Sequence, residues 1–265
     1  MNNLNSKIDM HVHSVASDGL SDAKIIVKKA KKLGIAIAIT DHNAASQSIA
    51  ASKNKIGVTA IPGIEVTCKE GPHILFYFYS SRDINCFFKK YVQPNYKEVF
   101  TSNLNIGVLD LMRASNKLNG LAIAAHPFSP GLCGSYVTFG KNDEFIKNIS
   151  GVEGINSSVT NYINERAVYW AKKINKPSIA GSDAHNIWYM GMAYTNIDSN
   201  ENTGHILDSI KKGNCTIGGR VMLPYEKLLD SGNKMKNWVS HPTYFLSKGI
   251  RDTIKSNKLR ESDRC

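Results

Sequence analysis

The segment DMHVHSVASDG, residues 9–19, places His11 and His13 two residues apart, with Asp18 five further on. Together with the preceding Lys7-Ile8 it reads as a β-strand running into a loop. Side chains at i and i+2 of a strand point the same way, so His11 and His13 share one face, and Met10 and Val12 the other. Neutral imidazole is the commonest metal ligand among side chains. Two imidazoles crowded on one strand face therefore raise a choice between a metal site and two unrelated surface histidines. The rest of the chain decides it.

Outward from this strand, apolar strand-like runs alternate with helical patterns. SDAKIIVKKAKKLG (21–34) puts Ala23, Ile26, Val27, Ala30 and Leu33 at helical spacing, with Ser21 as N-cap and Gly34 as stop. IAIAIT (35–40) reads as a short buried strand and AASQSIAASKNK as a short helix. GVTAIPGIEVTC and PHILFYFY follow as strands, the second a hairpin partner of the first. A helical stretch covers about 83–118, broken near Pro94. GLAIAA (120–125), GVEGIN (151–156) and KPSIAGSD (176–183) read as strands, and NYINERAVYWAKKIN (161–175) as a helix. Continuous apolar strands alternating with helices imply parallel pairing, in either a barrel or an open doubly wound sheet.

Composition narrows the class. At 265 residues, 42% hydrophobic and 21% charged, the chain fits one large globular α/β domain. No apolar run approaches a membrane span, and MNNLNSKIDM lacks the apolar core of a signal peptide; the expectation is a cytoplasmic protein with no membrane partner. The five cysteines (68, 86, 133, 215 and 265) form no C-x-x-C pair, which argues against a disulfide framework and for reduced thiols. The formal charge of +11 favours anionic partners generally. The lysines are spread in pairs over several helices, a pattern of solvated helix faces, so charge by itself does not single out nucleic acid.

Six of the eight histidines fall where a strand ends. His11 and His13 open the series. ITDHN carries His42, IPGIEVT carries Glu65, GPHILF carries His73, AIAAHPF carries His126, and IAGSDAH carries Asp183 and His185. In parallel α/β folds the C-terminal strand ends form the face that bears the site. These side chains therefore converge, and coincidence becomes remote. His205 and His241 lie outside the pattern and are read as ordinary surface or core residues. Imidazoles mixed with carboxylates suit zinc, manganese or iron.

The ordered set DMHVHSVASDG, ITDHN, IPGIEVT, PHIL, AAHP and AGSDAH resembles the PHP (polymerase and histidinol phosphatase) family, from about Lys7 to Thr195. The resemblance implies an α/β fold, a distorted (β/α)7 TIM-like barrel, binding two to three divalent metals at the C-terminal face of its strands. It implies that His11, His13, Glu65 and Asp183 hold one metal. Glu65 would bridge to a second held by His73 and His126, and Asp18, His42 and His185 would hold a third. The implied chemistry is phosphoester hydrolysis by a metal-activated hydroxide, with Asp183 or His185 as general acid. The barrel is expected over residues 1–220, followed by a basic extension over 221–265.

The implied substrate is a nucleotide, a short nucleic-acid 5′ end or a small sugar phosphate. The 52 residues between His73 and His126 leave no room for an inserted domain. AHPFSPG has no arginine to grip a phosphate, so Arg166 is the leading substitute, ahead of Arg82, Arg113 and Arg220. Trp188 and Tyr189, just beyond SDAHN, are the other candidate substrate contacts, with Trp188 put first. ILFYFY (74–79) is read as a structural strand. The competing functional class is a nucleic-acid-binding accessory module with little turnover. A metal amidohydrolase, which also opens with His-x-His, is disfavoured by Asp18, Glu65 and the ending GSDAH.

Overall fold

The computed structural model describes residues 5–96, 103–198 and 202–230. Nine strands form one sheet in the order β7-β6-β5-β4-β3-β2-β1-β8-β9. They are β1 (Asn5–Val12), β2 (Ala36–Ile39), β3 (Ala60–Thr67), β4 (His73–Tyr77), β5 (Leu121–Ala124), β6 (Gly151–Asn156), β7 (Ser178–Gly181), β8 (Ala193–Asp198) and β9 (Thr216–Gly219). The first seven curl into a nearly closed barrel. Closure runs through a parallel bridge of Val12 with Ala184, through His13 N–H to the Ala184 carbonyl (2.9 Å) and through Asp183 N–H to the His11 carbonyl (2.7 Å). The fold is the distorted (β/α)7 barrel.

The distortion lies at β4, which pairs antiparallel with both β3 and β5, while β1-β2, β2-β3, β5-β6 and β6-β7 are parallel. The β3–β4 hairpin is the one the sequence predicts. Because β4 runs backwards, its first residue, His73, stands at the same end as the last residues of its parallel neighbours.

Helices α1 (Ala23–Leu33), α2 (Ser46–Ser52), α3 (Ser81–Phe87), α4 (Val108–Lys117), α5 (Ser135–Phe139), α6 (Asp143–Asn148), α7 (Asn161–Lys173) and α8 (Thr203–Lys212) accompany the strands. The α1 cap sits one residue later than expected: Asp22, not Ser21, accepts from Ile25 N–H, while Gly34 ends the helix in the left-handed conformation (φ 65°). Ala23, Ile26, Val27 and Ala30 are buried, but Leu33 is 42% exposed. The helical stretch expected over about 83–118 is broken near Pro94 as the sequence reads: it divides into α3, a π turn (Phe88–Val92), a 3-10 turn around Pro94 and, separately, α4. Pro94 lacks the N–H that would continue the helix.

Alternating strand residues build two layers. Ile8, Met10, Leu75, Tyr77, Leu121, Ile123 and Ile179 fill the barrel interior, while Ile64, Val66, Ile74, Phe76 and Phe78 pack outward with α4 and α7. The run 74–78 is fully buried, as a structural strand should be. Strict alternation fails in β1. The four residues from Asp9 to Val12 stand opposite the three from Ile37 to Ile39, a one-residue bulge. Met10 packs inside the barrel whereas Val12 packs outside with α1, so the two do not share a face. A bulge of this kind re-aims the side chains around it.

Residues 221–230, the described part of the basic extension, bond to the barrel through Met222 N–H to Ser157 O (2.8 Å) and Lys227 Nζ to Val159 O (3.2 Å). Residues 231–265 lie outside the described ones. Among the described residues no helix is long and apolar enough to cross a membrane. Among the described residues, Cys68, Cys133 and Cys215 are free thiols.

Candidate metal centre

All nine residues singled out as ligands meet at the end of the barrel where the parallel strands terminate. The β1 bulge brings His11 and His13 together, their Nε2 atoms 3.0 Å apart. Glu65, near the end of β3, stands at the middle. Its Oε1 is 3.1 Å from His73 Nδ1 and 3.2 Å from His126 Nε2; its Oε2 is 2.9 Å from His42 Nδ1 and 3.4 Å from the Nε2 atoms of both His11 and His13. Asp183 Oδ1 lies 3.1 Å from His13 Nε2 and 3.6 Å from His11 Nε2. Asp18 Oδ2 is 2.9 Å from His185 Nε2.

Three groups have ligand atoms mutually within 4.8 Å: His11, His13 and Asp183; His42, Glu65 and His73; and His13, Asp18, His42 and His185. His13 and His42 each belong to two of them.

The backbone is shaped for this convergence. His126 (φ 24°), Asp183 (φ 53°) and Asn43 (φ 51°), which follows His42, adopt positive φ at strand ends. Sparsely populated conformations of this kind concentrate at functional sites. Gly181 allows β7 to approach β1, since a Cβ there would stand 2.4 Å from the Cβ of His11.

Buried polar groups that the sequence reading left without a role hold the ligands in place. Glu153, in β6, accepts from His11 Nδ1 (2.9 Å) and from the backbone N–H of His126 (2.8 Å). Asn156 donates to Glu153 (3.1 Å) and to Asp183 Oδ2 (3.2 Å). Asp41 ties down the loop after β1 through Ser14 N–H (2.7 Å) and Ser17 Oγ (2.8 Å). Asp9 accepts from Ser182 N–H (2.8 Å) and Gly191 N–H (2.7 Å), and burial pushes its carboxyl up to about 6 against those bonds. The signal for Glu153 was present: it is the lone charge in an otherwise uncharged strand, GVEGIN.

The donor set fits bound cations. A carboxylate accepts only, so the bond to Glu153 puts a proton on His11 Nδ1 and turns Nε2 toward His13 and Asp183. His185 repeats the arrangement, with Nδ1 on the Asp183 carbonyl (2.9 Å) and Nε2 facing the Asp18 carboxylate. Asp18 Oδ1, His42 Nδ1, Glu65 Oε2 and His126 Nδ1 are buried without a hydrogen-bond partner. Lone pairs and carboxylates turned on one another in a water-poor space repel unless positive charge lies between them.

The charges respond accordingly. Burial opposes ionisation of Glu65, but His42, His11 and His73 hold it well below the usual carboxylate range. Burial likewise opposes charge on His42, yet Glu65 and Asp18 raise it to about 9. Burial and the neighbouring His185 drive His13 down to about 3.

The two leading substrate candidates stand apart from this cluster. Arg166, on α7, lays its guanidinium 4.4 Å over the ring of Phe128, two residues beyond His126. Trp188 is 74% exposed, with Lys29 Nζ 5.5 Å from its ring. Arg113 pairs with Asp110 and Glu144, and Arg220 with Glu226, which leaves both occupied elsewhere.

Comparison with known proteins agrees with this picture. An uncharacterised protein of Methanocaldococcus jannaschii is 30% identical over 193 residues, covering 71% of this chain and 69% of its own length. A putative metal-dependent phosphoesterase from Bifidobacterium adolescentis superposes with a TM-score of 0.53 at 19% identity, over 67% of this chain and 87% of that one. The lesion-specific endonuclease PfuEndoQ from Pyrococcus furiosus superposes with a TM-score of 0.62 at 22% identity, over 81% of this chain and 58% of that one. At these identities the two structures share the fold. The family model described as PHP-associated matches residues 161–215, and the one described as PHP domain matches residues 9–173, which take in the second half of β1, all of β2 to β6 and all the centre's residues except Asp183 and His185. This chain belongs to the PHP family.

Proposed function

We propose that this chain is a metal-dependent phosphoesterase whose barrel, residues 1–220, holds two to three zinc, manganese or iron ions. The observation that carries the reading is the convergence of His11, His13, Asp18, His42, Glu65, His73, His126, Asp183 and His185 around buried, unpartnered ligand atoms. When bound, the ions supply Lewis acidity toward a phosphoryl oxygen and lower the pKa of water toward neutrality.

The protein's own part is to fix the donors. Glu65 touches five imidazoles and would help hold ions on both sides, with Asp183 and the His11–His13 pair on one and His73 and His126 on the other. His185 commits its Nδ1 proton to the Asp183 carbonyl, so only Nε2 remains for chemistry. That atom serves either as a ligand beside Asp18 or as the acid toward a leaving oxygen, not both at once. Asp183 is the alternative acid. Arg166 and Trp188 are the proposed contacts to the rest of the substrate, a nucleotide, a nucleic-acid 5′ end or a sugar phosphate.

The test is to load purified protein with Mn²⁺ or Zn²⁺ and follow inorganic phosphate and mononucleotide separately. The substrates are a 5′-phosphorylated oligonucleotide, nucleoside 3′,5′-bisphosphates and sugar phosphates. Turnover that disappears in His13→Ala supports the proposal. Metal-loaded protein that turns over none of them removes it. If such inert protein still binds oligonucleotide with a steep salt dependence, the accessory-module reading, which rests on the charge of +11, takes its place.

A further inference from the structure

Helix α7 has two faces with different work. Its inner face is wired to the metal centre: Asn164 bonds the backbone of Asn156 twice (3.0 Å each way), and Asn156 in turn holds Glu153 and Asp183. Its outer face carries Tyr162, Arg166, Tyr169 and Lys173, spaced by four, three and four residues and therefore in one stripe. Two tyrosine rings stand out of this same face, Tyr162 at 67% and Tyr169 at 70%.

The stripe borders a cavity of about 340 Å³ whose walls also include Phe128, Tyr136 and Trp170. Its rings are organised. Phe128 stacks on Tyr136 (4.1 Å between centroids), Trp170 meets both edge-on, and Arg166 lies over Phe128 and 5.7 Å from the Tyr162 ring. One acidic group, Glu165, shares the rim with Arg166 and Lys173. The stripe starts beside the barrel mouth, where α7 follows β6, and runs about 16 Å down the outside of the barrel.

We infer that this stripe is a docking platform for single-stranded nucleic acid, holding the nucleotides that flank the one presented to the metal centre. Flat rings on an exposed face take bases without regard to sequence, while interleaved cations take the phosphates between them. A strand lying along the stripe leads from Phe128, two residues after His126, away from the centre. The charge complement favours this occupant over the chain's own residues 231–265, which hold eight Lys and Arg against three Asp and Glu and would be repelled by Arg166 and Lys173. The inference deepens the phosphoesterase reading by naming its substrate class. Binding itself does not require that reading.

The experiment measures fluorescence anisotropy of a labelled dT12 and a labelled U12 with full-length protein in the presence of EDTA, so that binding is read without cleavage. Wild-type protein is expected to bind both, with log K falling against log salt at a slope of about −1.4 for two phosphate contacts. Tyr162→Ala/Tyr169→Ala should weaken binding by about 30-fold or more. Tyr162→Phe/Tyr169→Phe keeps the rings and should bind as wild type. Arg166→Ala should flatten the slope by about 0.7.

Melting curves check that the alanine variant is folded, as two exposed side chains allow. Equal binding by the alanine variant, duplex DNA bound as tightly as the single strand, or no wild-type binding overturns the inference. Failure of the phosphoesterase reading would show instead as oligonucleotide bound through the stripe and never cleaved once Mn²⁺ is supplied.

Discussion

Near one end of the barrel, Ile8, Met10, Leu75, Tyr77, Ile123 and Ile179 fill the interior with fully buried apolar side chains. At the other end His11, His13, Glu65, Asp183 and their neighbours fill the same enclosure with ionisable groups, several of them equally buried. The apolar end is stabilised by a non-directional effect that scales with area removed from water, so its members are interchangeable within limits of volume. The ionisable end gains nothing from burial, because each charge there is costly unless a specific partner meets it. One end therefore holds the barrel together, and the other uses that rigidity to keep mutually repelling donors in place.

Substitutions should separate the two ends. The largest effect is expected at Glu65→Gln, which keeps the shape but removes the charge facing five imidazoles. Phosphoester turnover should fall ~10³-fold or more, equivalent to ~4 kcal/mol of transition-state stabilisation. Steady-state kinetics with metal content measured in parallel check this, and a fully active variant would break the division drawn here. Ile123→Ala, in the apolar end beside Leu75, should cost ~2–5 kcal/mol of stability by denaturant titration. The metal stoichiometry of the protein that remains folded should not change.

Glu153→Ala lies between these cases. It removes the acceptor that fixes His11, and metal affinity by chelator competition should weaken by roughly 10–100-fold. Glu153→Gln, which retains an acceptor oxygen, should lose less. Equal affinities for wild type and the alanine variant would show that the His11 ring is held by packing alone.

The same contrast explains what the sequence made legible. The strands β2, β3, β5 and β7 are short apolar runs bounded by turns, and the ligands sit one after another at their ends, so the βα alternation and the cluster could be read together; the choice of barrel over open sheet came from the family resemblance. The bulge in β1 could not, because an extra residue between Asp9 and Val12 is defined only by the register of β2. Nor could β8 and β9, which leave the βα alternation to pair antiparallel at the edge of the sheet, with β8 half-exposed in the pattern of an ordinary surface strand. Glu153 was visible as a residue but not as a partner. One acid in a strand looks the same whether it faces solvent or a histidine 142 positions away.

The smallest effect belongs to the periphery, where Arg220 grips Glu226 with two hydrogen bonds of 2.7 and 2.8 Å. Those bonds, with a further one from Leu223 N–H, hold the Glu226 carboxyl at about 2, below its unfolded value of 4.5. A carboxylate whose folded pKa is depressed adds stability above the unfolded pKa and loses it as pH falls toward the folded one. Arg220→Ala should therefore lower stability at pH 7 by no more than ~1 kcal/mol, the range of an ion pair whose arginine is half-exposed. The deficit relative to wild type should shrink between pH 4.5 and pH 2. Thermal melts of both proteins at pH 7 and pH 3 measure it. A deficit that stays constant with pH would mean Arg220 acts by packing residues 221–230 onto the barrel. A deficit above ~3 kcal/mol would mean that this surface pair behaves like the buried centre, and that the contrast between enclosed and exposed charge does not govern this molecule.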